Sequence, residues 1–255
     1  QRQKATTAAT RFEFAKAAEL LAPVVELPEP HSYWNDFILQ AALLALLDRN
    51  EAGRELAVRA VQQFGEVTDL EKLNFGARAV FLCKPVPGES AELERQAMAM
   101  VEAVMQQPEI REDKNLAEYL TTRGMGAQRF GKHDEVEERM EEALAAAESA
   151  KRVDLRVLCL AFRAMSRFQN QRVKEARVDL QGATALYEKM AFHPERGIRI
   201  HDDLSFAPNR RVKRNHFRLG LMARSALKEA MELIDGDSSA LAGIDGALAP
   251  RPEGP

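Results

Sequence analysis

The chain has 255 residues, and its 36 Lys and Arg stand against 39 Asp and Glu for a formal net charge of −3. That balance gives no overall field to draw the molecule onto nucleic acid or an anionic membrane, so either role requires a local patch. Cys83 and Cys159, the only cysteines, lie outside any C-x-x-C spacing, which gives no support to a disulfide framework or a thiolate zinc site.

Residues 1–10 are polar and are expected to fray or to belong to a truncated helix. From Arg11 to Val25, Phe14, Ala17, Leu21 and Val24 recur at helical spacing, with Pro23 expected to kink or shorten the helix and Leu27-Pro28-Glu29-Pro30 to end it. Ser32 is a fair N-cap for a helix that opens on Tyr33 and Trp34 and runs to Leu47. Its apolar run, Phe37 to Leu47, is well short of the roughly 20 residues a membrane-spanning helix needs, and Gln40 interrupts it.

After a turn at Asp48-Arg49-Asn50, a helix over 51–64 carries Leu56, Ala60, Val61 and Phe64 inward, and Gly65 is placed to close it in the left-handed conformation. Thr68 or Asp69 caps the next helix, 70–83, which Pro85, Pro87 and Gly88 end. Ser90 opens a further helix with Glu92 and Glu94 in its first turn and Met98, Val101 and Met105 on its inner face, until Pro108.

Residues 115–149 read as two antiparallel helices joined at Gly131-Lys132-His133-Asp134. Leu116, Leu120, Gly124, Ala127 and Gly131 mark the first face, and Val136, Met140, Ala143, Leu144 and Ala147 the second. A second pair follows. Val153 to Phe168 is apolar on most sides, Asn170-Gln171-Arg172 turns, and Val173, Ala176, Leu180, Ala183, Tyr187 and Met190 continue at helical spacing. Residues 191–209 break the rhythm, a last long helix runs from about Arg211 to Ile234 with Leu227, Met231 and Ile234 on one stripe, and residues 236–255 are expected to be disordered. No alternating stretch suggests a sheet, so the expected fold is all-α.

Shifting Leu120 onto Leu160 aligns Gly124 with Ala164, Val136 with Ala176, Met140 with Leu180 and Ala143 with Ala183, an offset of 40 residues. These positions resemble the tetratricopeptide repeat, with its large residue, Leu-Gly, aromatic, and Ala-x3-Phe-x2-Ala. The match departs from that pattern where Arg123 and Arg163 replace the Leu, where Ala127 and Arg167 replace the aromatic, and in lacking the terminal Pro. A narrower likeness covers about residues 12–190. The string FGEVTDLEKLNFGARAVFLCKP, residues 64–85, is similar to the C-terminal repeat region of large serine/threonine protein kinases of planctomycetes and related bacteria.

The resemblance implies a right-handed helical-hairpin solenoid acting as a non-catalytic protein–protein interaction or scaffolding module, or as the regulatory segment of a kinase whose catalytic domain lies upstream. A protein or peptide would bind along the first helices, at Glu118, Thr121, Met125, Gln128, Arg129, Met165 and Gln169. Because the chain opens on Gln1, it is expected to be a piece of a longer protein, so the lack of a signal peptide says little about its compartment; a cytoplasmic location is the expectation.

The glycine loop, strand lysine and paired aspartates of kinase chemistry are missing from the sequence, and no catalytic, cofactor or metal site is expected. Gly124-Met125-Gly126 resembles the start of a phosphate loop but falls inside a helix, where close helix packing explains it better. His201-Asp202-Asp203, with His193 and His216, reads as a helix-capping cluster rather than a metal site. Arg210, Arg211, Lys213, Arg214 and Arg218 form the one basic patch. With only Phe206 and Phe217 beside it, pairing with the acidic stretch Asp134 to Glu142 is favoured over nucleic acid.

Overall fold

A computed structural model describes residues 1–27, 34–84, 91–113, 115–193, 197–200 and 210–248. Five consecutive helical pairs account for most of these: α1 (Arg2–Thr10) with α2 (Phe14–Val25), α3 (Trp34–Leu46) with α4 (Asn50–Phe64), α5 (Leu70–Leu82) with α6 (Ala91–Met105), α7 (Leu116–Arg129) with α8 (His133–Ser149), and α9 (Val153–Gln169) with α10 (Val173–Glu188). Each pair packs on itself. The second helix of each pair also packs on the first helix of the next, and α3, α5, α7 and α9 neighbour one another in order.

One turn geometry recurs along the chain. Phe12, Asp48, Gly131, Lys151 and Gln171 all have positive φ, between 53° and 66°. In each case the following N–H donates back five residues: Glu13 to the Ala8 carbonyl, Arg49 to Leu44, Lys132 to Ala127, Arg152 to Ala147 and Arg172 to Arg167, at 2.7–3.0 Å. This Schellman closure satisfies a carbonyl that the helix end leaves open. Gly131 and Gln171 hold equivalent places 40 residues apart, so the sequence offset is also a structural one.

Packing explains the glycines of α7. A Cβ on Gly124 would lie 2.7 Å from the Met140 sulfur, and one on Gly126 would lie 2.7 Å from that of Met98. Gly124 therefore marks where α7 and α8 touch. Earlier in the array Trp34 stacks on Phe75 with ring centroids 3.9 Å apart, joining α3 to α5.

Several expectations change. Residues 2–10 form a helix whose Ala5, Ala8 and Ala9 are buried, because alanine spacing supplies a packing face that overall polarity hides. Helix α2 runs on to Val25, since a proline this near the end interrupts little of its hydrogen bonding. Gly65 takes the right-handed conformation (φ −66°), not the left-handed one. Of the two candidate caps Asp69 is the one used, accepting from the Lys72 N–H at 3.0 Å. The inner face of α6 is Ala97, Met100, Val101 and Val104; Met98 and Met105 sit half-buried at its edges.

A two-stranded antiparallel ribbon, β1 (Met190–His193) with β2 (Gly197–Ile200), follows α10. Strands of four residues are too short for alternation to register in the sequence. The chain continues into α11 (Arg210–Asp235) and α12 (Ser239–Leu248), and the buried Leu241 of α12 corrects the expected disorder there. The caps foreseen at Ser32 and Ser90 and the tail beyond residue 248 lie outside the described residues. Among the described residues, no helix is long and apolar enough to cross a membrane.

Candidate partner-binding groove

The first helices of the pairs place the seven expected contact residues along α7 and α9, but not on an open surface. Helix α11 lies against α3, α5, α9 and α10, and its Glu229 reaches Arg129 on α7. Its buried face comprises Leu221, Met222, Ala223, Ala226, Leu227, Ala230, Met231 and Ile234. The groove is filled by the chain's own helix.

Polar contacts fasten α11 at the C-terminal ends of successive first helices. Arg129, its side chain 4% exposed, donates from Nη2 to Glu229 Oε2 at 2.7 Å and from Nη1 to Oε1, while Nε donates to the Phe81 carbonyl at 2.9 Å. The guanidinium also lies over the Phe162 ring, 5.2 Å from its centroid. Lys84, just past α5, donates to Glu232 at 3.2 Å and to Asp48 at 2.6 Å. Lys228 donates to the second oxygen of Asp48 at 2.6 Å, and Arg224 sits over the Phe14 ring. Burial works against ionisation of Asp48 and Glu232, but hydrogen bonds from Lys228 and Lys84 outweigh it and hold both below the ordinary carboxylate range.

The other expected contacts are committed internally. Glu118 accepts from Arg78 Nη1 at 3.1 Å and from Arg152 Nη1 at 2.9 Å. Thr121 donates to the Ala117 carbonyl at 2.6 Å and lies 3.4 Å from the Cys159 sulfur. Gln128 donates to Gln169 at 3.2 Å, and Met125 and Met165 are wholly buried. An open groove lined by all seven residues is therefore corrected: Glu118, Thr121, Met125, Gln128 and Met165 are buried between helices and Arg129 is paired with α11, whereas Gln169 is exposed.

Arg78 was not foreseen. It is fully buried in the middle of α5, donating to Thr122 Oγ1 at 2.9 Å, to the Glu118 carboxylate, and to the Glu118 carbonyl at 2.6 Å. Arg152 extends the chain to Asp154, at 2.8 and 3.1 Å. Burial pulls the Arg78 pKa down, partly offset by Glu118. A charge inside the otherwise apolar string Phe75-Gly76-Ala77-Arg78-Ala79-Val80 is a sequence signal for such a network, since buried charge requires partners.

The arginines that depart from the repeat pattern also acquire reasons. Arg123 pairs with Glu102 on the preceding α6 at 3.1 Å. Arg163 pairs bidentately with Asp179 on α10 at 2.7 and 2.9 Å, and Arg167 joins Asp179 at 2.9 Å to Glu137 on α8 at 2.6 Å. Each of these ion pairs thus ties a first helix to a second helix. Glu137, also paired with Arg172, is held below the usual range: burial opposes this, but the two arginines prevail.

Comparison with protein-family models, with characterised proteins and with solved structures returns no match to this chain. The side chains of the basic patch at Arg210 to Arg218 and of His193 and His216, and the whole of His201-Asp202-Asp203, lie outside the described residues. Among the described residues, no group of three or more His, Cys, Asp or Glu is placed to hold a metal ion. Burial pushes both Cys83 and Cys159 up to about 12, which leaves neither sulfur as a thiolate nucleophile.

Proposed function

We propose that this chain is a non-catalytic protein–protein interaction or scaffolding module of tetratricopeptide-like repeats, wound as a right-handed superhelix, whose inner side holds an amphipathic helix. The seating of α11 across the first helices carries this reading, because it is the position a helical ligand of such a groove would take. The recurring turn closures and the 40-residue equivalence support the repeat reading. The likeness of residues 64–85 to bacterial kinase repeat regions supports a signalling context, with a regulatory segment of a serine/threonine kinase as the second reading; the coding sequence upstream of Gln1 distinguishes the two.

Native-state amide hydrogen exchange tests the groove-ligand reading. Helix α11 is expected to open as a unit at lower free energy than α7–α10. Exchange of α11 only together with global unfolding would make it an integral part of the body and refute the reading.

A further inference from the structure

We propose that the partner this groove accepts in trans is an amphipathic helix bearing two carboxylates three residues apart beside an apolar face in which alanines alternate with Leu, Met and Ile, the pattern that α11 itself presents. The proposal rests on the groove-ligand reading and names the chemistry of the ligand.

Arg129 makes the strictest demand. Its Nε is committed to the Phe81 carbonyl and its ring contact is Phe162, so among the described residues Glu229 is the carboxylate that pairs with it, from a site almost closed to water. Losing that carboxylate would strand a buried guanidinium, so a helix that replaces α11 must bring an acidic group to the same point. Glu232, three residues on and therefore on the same side of the helix, meets Lys84. That second demand is softer, because Lys84 keeps Asp48 in any case.

Shape sets the third condition. Ala223, Ala226 and Ala230 are no more than 2% exposed, so a larger side chain at any of them would have to displace a neighbour. Helix α11 is tethered to the array and competes at a high effective concentration, which keeps the groove closed until a stronger or more abundant helix of this type arrives.

The test uses a labelled peptide of residues 219–236 and the full chain carrying Leu227→Glu with Glu229→Lys, which loosens α11 while leaving Arg129 and Lys84 in place. The loosened chain is expected to bind the peptide at least about tenfold more tightly than the unaltered chain. Glu229→Ala in the peptide should weaken binding by at least about 30-fold, Glu232→Ala by less, and Leu233→Ala, on the exposed side, by no more than about twofold.

Should the loosened chain lose its helical circular dichroism, a protease site placed within 203–209 of the otherwise unaltered chain and cut after folding allows the same peptides to compete with the severed α11. The same ranking is expected. Equal binding by the Glu229→Ala peptide would overturn the carboxylate rule while leaving the groove-ligand reading intact. No binding to either form would overturn the proposal, even if hydrogen exchange shows α11 opening by itself. Self-association of the unaltered chain after cleavage within 203–209 would also overturn it, since the α11 of a second copy would then be the occupant.

Discussion

Arg78→Met removes the buried guanidinium that ties α5 to α7. The variant keeps an apolar stem of similar length but leaves Glu118 with Arg152 as its remaining cationic partner. Breaking a buried pair by deleting one member costs about 3–5 kcal/mol; because Arg152 still neutralises Glu118, the lower end, about 3 kcal/mol, is expected. For a chain of this size that corresponds to a fall in Tm of about 6–12 °C. Adding Glu118→Leu removes the carboxylate left with a single cation, so the double variant should be no less stable than Arg78→Met alone; since Glu118→Leu by itself strands Arg78 at a cost of about 3 kcal/mol, the coupling is about 3 kcal/mol. Urea and thermal unfolding followed by circular dichroism measure both quantities. A loss below about 1 kcal/mol for the single variant, or strict additivity in the double, would refute the network as the tie between α5 and α7.

Gln171→Gly should stabilise the chain by about 0.5–1 kcal/mol, because an L side chain is strained at φ 63° and the gain exceeds the added freedom of glycine in the unfolded state. An unchanged or lower urea midpoint would contradict this. Cys83 and Cys159 should resist alkylation at neutral pH in the folded chain and react once it is unfolded; rapid labelling of either in native buffer would contradict their burial. Asp48 and Glu232 are depressed in the folded state, so the stability they lend α11 is complete above the unfolded carboxylate range near about 4 and disappears as pH falls through their lower folded values. Faster opening of α11 relative to α9 is therefore expected on acidification into that window, and hydrogen exchange at two pH values measures it.

Much of the architecture could be read from local pattern. The pairs α7–α8 and α9–α10, their turns at Gly131 and Gln171, and the packing role of Gly124 follow from spacing and from backbone requirements that act over a few residues. The errors share one physical origin. Met98 was expected on the inner face of α6 and lies at its edge, because an apolar side chain reports burial but not how a helix is rotated against two neighbours. Of the two expectations for the polar N-terminus, fraying or part of a helix, the helix holds for residues 2–10, where three alanines suffice to seat α1 on α2.

The groove shows the same division more sharply. Glu118, Thr121, Met125, Gln128 and Arg129 do lie along one helix, as their spacing requires, but no local pattern tells whether solvent, a partner or the chain itself covers them. That was decided by α11, whose Glu229 meets Arg129 across 100 residues of sequence, and by Arg78, whose partners lie 40 and 44 residues away. Periodicity by itself determined the helices, their turns and the faces that must leave water, because hydrophobic burial is nearly indifferent to the identity of the apolar partner. Only the tertiary structure decided which surfaces meet, because a buried charge is stable only where a distant segment brings its counter-charge into hydrogen-bonding reach.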